Sequence, residues 1–309
     1  MRSNTLRIGT RGSDLALWQA RWVAGELRRI DPSCIVELEI IHTRGDRVTD
    51  RPIAAVGTQG VFVREVQDRV MAGDVDLAVH SLKDLETVSA EGVTIAAVPT
   101  RGPISDVLVA PGVGALDALP KGASLGTGSP RRRAQLLAWR ADLEVVPIRG
   151  NVPTRLAKVE NAGIDGVVLA EAGLVRLGLG DRISCVIPTE IMLPAPGQGA
   201  LAIECREGDR RALDLLAPLH DETTAAAVRA ERAFLRELRG GCHAPVGALA
   251  RVEGGTVHLE GCVAEREGRG SIREWISGVA EKAEELGRRL ALDVLERGAG
   301  VWIEEARGG

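Results

Sequence analysis

Ala123-Ser124-Leu125-Gly126-Thr127-Gly128-Ser129-Pro130-Arg131-Arg132-Arg133 is the stretch on which the fold turns. A short apolar run, Ala123 to Gly126, gives way to a turn. Ser129 then offers a capping hydroxyl, and Pro130 takes the first helical position, where its missing N–H costs nothing. The reading is strand, turn and helix N-terminus, with three arginines in the first helical turn. A helix built only for stability carries acids there, because its free N–H groups already present partial positive charge. Guanidinium forks added to that end make a site for carboxylate or phosphate.

The same texture extends in both directions. Upstream, Thr5 to Gly9 reads as a strand that runs into Arg11. A helix with Leu15, Trp18, Trp22 and Leu27 at near-helical spacing follows behind a Ser13/Asp14 cap. A strand at Cys34 to Ile41, a helix at Val61 to Met71 and a strand at Val75 to Val79 continue the alternation. Nearer the opening stretch, Asp106 to Val109 and Leu143 to Ile148 read as strands, the latter entering a second basic turn, Arg149-Gly150-Asn151, with Arg155 beyond it. Gly166 to Ala170 closes this block. Alternation of this kind favours α/β sheets. Proline and glycine flank the block at Pro99 to Pro103 and Pro194 to Gly199, as expected of crossings between two lobes. After Asp221 the texture changes to an Ala-rich helix, then three strand-like runs (Val246 to Val252, Thr256 to Ala264, Ser271 to Ser277), and an amphipathic helix from Val279 to Glu296. That reads as a small α+β domain.

Composition narrows the classes of function. The 309 residues allow two or three domains. With 45% hydrophobic and 27% charged residues and a net charge of -4, neither a polybasic tail nor an acidic disordered tract is expected. An aromatic fraction of 2% leaves little material for base stacking. No run approaches the ~18 apolar residues of a membrane span, and Met1 to Asp14 lacks the apolar core of a secretory signal, so the cytosol is the expected compartment. Cysteines stand at 34, 185, 205, 242 and 262, an odd number without CxxC spacing. This argues against a disulfide framework or a zinc ribbon, and no metal is expected.

Arginines at three strand-to-helix junctions are the leading candidate site: Arg11, then Arg131 to Arg133, then Arg149 and Arg155. In open α/β sheets such turns gather at the ligand crevice, whereas a single Arg would read as a solvated basic face. Asp84, at the end of Ala78-Val79-His80-Ser81-Leu82-Lys83-Asp84, stands just beyond a buried strand. There a carboxylate can act as general acid or base or stabilise a cation, or simply cap a helix or pair with Lys83. His80 reads equally as a satisfied polar group within the sheet. Cys242, in Arg239-Gly240-Gly241-Cys242-His243-Ala244-Pro245, is a nucleophile or attachment point on an adaptable loop, or a small buried hydrophobe beside a helix end.

Taken in order, these segments resemble the porphobilinogen deaminase (hydroxymethylbilane synthase) family over essentially the whole chain. The matching motifs are Arg7-Ile8-Gly9-Thr10-Arg11 with Ser13 and Leu15 to Ala20, Thr43-Arg44-Gly45-Asp46, and Ala78 to Asp84. They continue with Gly126-Thr127, Ser129, Arg131-Arg132, Arg149-Gly150-Asn151-Val152 with Thr154-Arg155-Leu156, Pro196-Gly197-Gln198-Gly199, and Glu231-Arg232 leading to Gly240-Gly241-Cys242. The resemblance implies two α/β domains like a type II periplasmic-binding-protein pair plus a small C-terminal α+β domain. The implied boundaries are 1–99 with 200–217, 105–193, and 222–309. It implies a transferase that joins four porphobilinogen molecules head to tail, releasing ammonia each time, to give hydroxymethylbilane. The primer would be a dipyrromethane held as a thioether on Cys242. Asp84 would stabilise the cationic azafulvene and manage protons. Lys83, Ser81, Asp46, Ser129, Arg131 and Arg132 would hold the cofactor, and Arg11, Ser13, Arg149, Arg155, Arg176, Gln198 and Phe62 the substrate. A cytoplasmic monomer with porphobilinogen as its only partner, and no nucleic acid or membrane, is the corresponding expectation.

The chain departs from the family pattern at Ile53 to Gly60, which lacks lysine, at Leu85-Glu86, where Val-Pro is usual, and at Ala244. Three other functions compete with this reading: a binding-only protein, which needs neither Asp84 nor Cys242; a nucleic-acid binder, suggested only by Arg131 to Arg133; and a thiol hydrolase using Cys242 and His243. A covalent pyrrole adduct separates all three from the deaminase.

Overall fold

The computed structural model describes residues 5–43, 63–241 and 244–308. Asp46, Phe62, Cys242, His243 and the 53–60 segment lie outside the described residues. The chain divides into two compact units, Met1–Arg101 with Ala200–Ala225 and Gly102–Gly199 with Ala226–Gly309.

The first unit is a five-stranded sheet built from β1 (Thr5–Thr10), β2 (Ile35–Ile40), β3 (Leu77–Ser81), β4 (Val93–Ala97) and β10 (Leu201–Arg206), in the order β2-β1-β3-β10-β4. β1 runs parallel to β2 and β3, and β10 is antiparallel to both its neighbours. Helix α1 (Asp14–Ile30) buries Ala20, Val23, Ala24 and Leu27, a three-to-four-residue spacing, against Leu6, Val36, Leu77, Val79 and Ile203, and α6 (Arg210–Leu216) adds Ala212 and Leu216 to the same cluster. Helix α2 (Arg64–Ala72) sets Val66 and Val70 on the other face, against Ile41, Val75, Ala78 and Val93. Covered on both sides, β3 shows the continuous burial of a central strand.

The second unit repeats this plan. β5 (Asp106–Val109), β6 (Ser124–Gly126), β7 (Glu144–Val146), β8 (Gly166–Ala170) and β9 (Cys185–Ile187) lie in the order β7-β6-β8-β5-β9, with β5 antiparallel to β8 and β9. Its helices are α3 (Pro130–Trp139), α4 (Val152–Asn161) and α5 (Glu171–Arg176). In each sheet the antiparallel strand is the first to follow a crossing: β5 after Pro99 to Pro103, β10 after Pro194 to Gly199. Inside the second unit the crossing segments are clasped. Gly102 N donates to Gly199 O (3.1 Å), and Gly199 has φ +86°. A Cβ at Gly199 would stand 2.5 Å from Pro103 O, so only glycine fits.

The same unit carries the C-terminal meander β11 (Val246–Glu253), β12 (Thr256–Ala264) and β13 (Ser271–Val279). Helices α7 (Glu222–Glu237) and α8 (Ala283–Val294) cover one face, with Ala226, Ala230, Phe234, Leu290 and Val294 against Ala248, Val257 and Leu259. On the other face Leu249, Cys262 and Ala264 pack with Ala134 of α3 and Leu193. Glu231 of α7 is fully buried, its carboxylate accepting from Gly197 N (2.7 Å) and Ala250 N (2.8 Å), so the crossing and the meander share one anchor. The amphipathic helix expected from Val279 begins only at Ala283. Gly278 and Val279 instead continue the ladder against Val257 and Thr256, and a 3-10 turn over Ala280–Lys282 intervenes.

Candidate active site

In the first unit a pocket opens at the C-terminal ends of β1 and β3, where Arg11, Ser13, Gln19, His80, Ser81 and Asp84 converge. Ser13 is the N-cap of α1 and accepts from Ala16 N (3.4 Å), so capping fixes one wall of the pocket. Ser81 ends β3, and a 3-10 turn, Leu82–Asp84, presents Asp84 exposed while Leu82 is buried as its root. Leu82 N donates to Ala200 O (3.0 Å) and Leu85 N closes the turn onto Leu82 O (3.1 Å). Leu85 is itself buried and Glu86 exposed, so this departure from the family pattern adds an anchor rather than a buried charge. Gln19, 2% exposed on α1, donates from Nε2 to Ser81 Oγ at 2.7 Å. With its lone pair engaged, the Ser81 hydroxyl keeps its proton to offer a ligand. Sequence reading missed Gln19; its place on the buried face of α1 was the only available signal. Lys83 is half-buried.

The arginine-rich helix of the second unit behaves differently from the open cradle expected. Ser129 caps α3 as foreseen, accepting from Arg132 N (3.4 Å). Arg131 and Arg132, however, are only 4% and 5% exposed, and both grip Asp106 of β5. Arg131 Nη1 lies 2.7 Å from Oδ2, Arg132 Nε 2.9 Å from Oδ1, and Gln198 Nε2 3.1 Å from Oδ1. Burial would push the Asp106 carboxyl up, but the two guanidinium charges and their hydrogen bonds outweigh it and hold the group well below the usual carboxylate range. The acid that balances the helix thus comes from a strand 25 residues away, not from the first turn. Two guanidinium charges against one carboxylate leave the cluster one positive charge in excess, and Arg131 Nε is buried without a hydrogen-bond partner.

Arg176 and Gln198 also have internal partners. Arg176 Nη2 donates to Gly199 O (2.6 Å), and burial lowers its pKa to about 10. Gln198 Nε2 reaches Ile104 O (2.8 Å) as well as Asp106. Asn151 caps α4, accepting from Thr154 N (3.0 Å), and Arg155 Nε donates to Gly150 O (2.8 Å). Arg149 and Arg155 are half-buried beside that cap. Among the described residues no group of three or more His, Cys, Asp or Glu is placed to hold a metal, and no helix is long and apolar enough to cross a membrane.

These features define a class: an α/β protein of two like-ordered sheets with a small C-terminal domain, bearing a carboxylate pocket at one sheet and a surplus of buried positive charge at the other. Comparison with known proteins makes the class specific. The profile of the porphobilinogen deaminase dipyromethane cofactor binding domain matches residues 6–214, and that of the porphobilinogen deaminase C-terminal domain matches residues 225–296. Porphobilinogen deaminase of Syntrophotalea carbinolica is 50% identical over 97% of this chain and 95% of its own. Those of Moorella thermoacetica and Geobacter metallireducens are 47% and 46% identical, over 98% and 97% of this chain and 96% and 94% of theirs. Among solved structures, the methionine-binding protein MetQ aligns with 70% of this chain and 89% of its own at a TM-score of 0.45 and 14% identity. The chain belongs to the porphobilinogen deaminase family.

Proposed function

We propose that this chain joins four porphobilinogen molecules head to tail, with loss of ammonia at each addition, to give the linear tetrapyrrole hydroxymethylbilane. The observation that carries the reading is the pocket, where a carboxylate on a rigid turn faces a guanidinium and two hydroxyls. Each porphobilinogen brings an acetate and a propionate, and bidentate, permanently charged forks suit them. Arg11, Arg149 and Arg155 take the substrate carboxylates, with Ser13 donating from the cap of α1. Arg176 and Gln198 contribute through the crossing they brace, and Phe62 stacks on a pyrrole. Asp84 stabilises the positive charge that spreads onto the pyrrole nitrogen once ammonia has left, and receives the proton released when the new bond forms.

The residues present fit a dipyrromethane primer. Its carboxylates would meet the excess positive charge at Arg131 and Arg132 and the donors Ser129, Ser81 and Lys83, while Asp46, an acceptor, would suit its pyrrole N–H groups; when bound it supplies the pyrrole carbon at which the chain grows. Cys242 would hold it as a thioether. Burial raises the pKa of Cys34 and Cys185, and pushes those of Cys205 and Cys262 up to about 11, which disfavours the thiolate at each of these four. We further propose three domains, 1–99 with 200–217, 105–193 and 222–309, working as a cytoplasmic monomer with no nucleic-acid partner. Purified protein given porphobilinogen should release one ammonia per molecule consumed and yield a four-pyrrole product by mass. Consumption without a four-pyrrole product would overturn the assignment.

A further inference from the structure

Behind the pocket lies a polar cluster that the proposed mechanism does not use. Glu204, 1% exposed in β10, receives the Gln67 amide of α2 on both carboxylate oxygens (3.0 and 3.1 Å). His80 of β3 stands with Nε2 3.2 Å from Glu204 Oε2, close enough for an ion pair but not aligned as a hydrogen bond. Val66, Val70, Ala78 and Val93 pack together on the α2 side of the sheet, and Arg206 Nη1 donates to Val70 O (3.0 Å) and Val75 O (3.0 Å) there. A buried carboxylate there is costly, and well-packed apolar residues serve stability as well or better. The register of β10 against β4 also breaks between Ile203 and Glu204, a local irregularity of the kind that re-aims a side chain beside an active site.

We propose that Glu204 is a positioning residue for the reaction, acting through His80 on the end of β3. His80 precedes Ser81 in the chain, and both line the pocket with Asp84. The strand end is thereby held from its two faces, by Gln19 on the α1 side and by the Gln67–Glu204–His80 tie on the α2 side. The tie fixes where Ser81 and Asp84 meet the reacting pyrrole, so it governs the chemical step rather than affinity. The inference rests on the deaminase reading.

Glu204→Gln and His80→Gln, singly and together, test it in holoenzyme whose cofactor content is checked by intact mass. Each single variant should keep the wild-type adduct and lower kcat about tenfold or more, with KM within about twofold. The double variant should lose no more than the worse single, because the two residues act as one unit. A kcat within about twofold of wild type in both singles, a KM that rises in step with the loss, or losses that multiply in the double would overturn the proposal. Should neither single variant fold, Gln67→Met loosens the same tie more gently and should lower kcat by about threefold at unchanged KM; unaltered kcat there would also overturn it. Wild-type protein inactive towards porphobilinogen would instead sink the deaminase reading, and the proposal with it.

Discussion

Asp84 owes its suitability to a division of labour within three residues. Leu82 is buried and roots the turn, while Asp84 is exposed and reaches the pocket. Asp84→Asn should therefore leave folding nearly untouched, within about 0.5 kcal/mol of wild type by urea denaturation, as is usual for an exposed position. Turnover should fall about 10² to 10⁴-fold with the covalent adduct retained. A loss of less than tenfold would remove Asp84 from the chemical step. Arg11 and Asp84 stand out in the sequence as candidates because each follows the end of a strand, whereas Ser13 and Ser81 enter the site only through the family resemblance. Gln19 and Glu204 do not stand out, since their meaning lies in partners 62 and 137 residues away, Ser81 and Gln67.

At the scale of elements, the Asp106 triad ties β5, the N-terminus of α3 and the crossing at Gln198. Asp106→Asn leaves two buried guanidinium groups facing a neutral amide and should cost about 3–5 kcal/mol at neutral pH. Because the folded-state carboxyl is held low, its contribution is complete above the unfolded value of about 3.9 and is lost progressively as pH falls below it. Urea midpoints of wild type and variant should begin to converge below about pH 4 and go on converging as the pH falls; a constant gap down to pH 2 would mean that the Asp106 charge is not what stabilises the cluster. Gly199→Ala places a Cβ against Pro103 O at positive φ and should destabilise by about 1–3 kcal/mol or more, again read from urea midpoints.

The opening strand, turn and helix were read correctly to the cap, as were Asp106–Val109, Gly166–Ala170 and Thr256–Ala264. β4, β9 and α5 were passed over because each is short and its apolar run offers no period to count. Arg131 and Arg132 were seen as ligand forks, yet two of their bonds go to an acid that no helical spacing could reveal. The expected start of α8 lies four residues early because Gly278 and Val279 suit a strand end as well as a helix entry.

Across the molecule, the attached pyrroles would belong to the fold as well as to the chemistry. A group that binds the folded chain stabilises it, and here its carboxylates would relieve buried excess charge. Cys242→Ser, unable to hold the primer, should melt several degrees below holoenzyme. Equal melting temperatures would mean that the cationic cluster is satisfied without it. The intact mass of denatured protein beside Cys242→Ser, both made in cells that supply porphobilinogen, decides whether the chain carries its own primer. A surplus of two pyrrole units should survive denaturation and be absent from the variant. A bare-chain mass that persists after incubation with porphobilinogen, or a surplus retained by Cys242→Ser, would rule out a primer on Cys242.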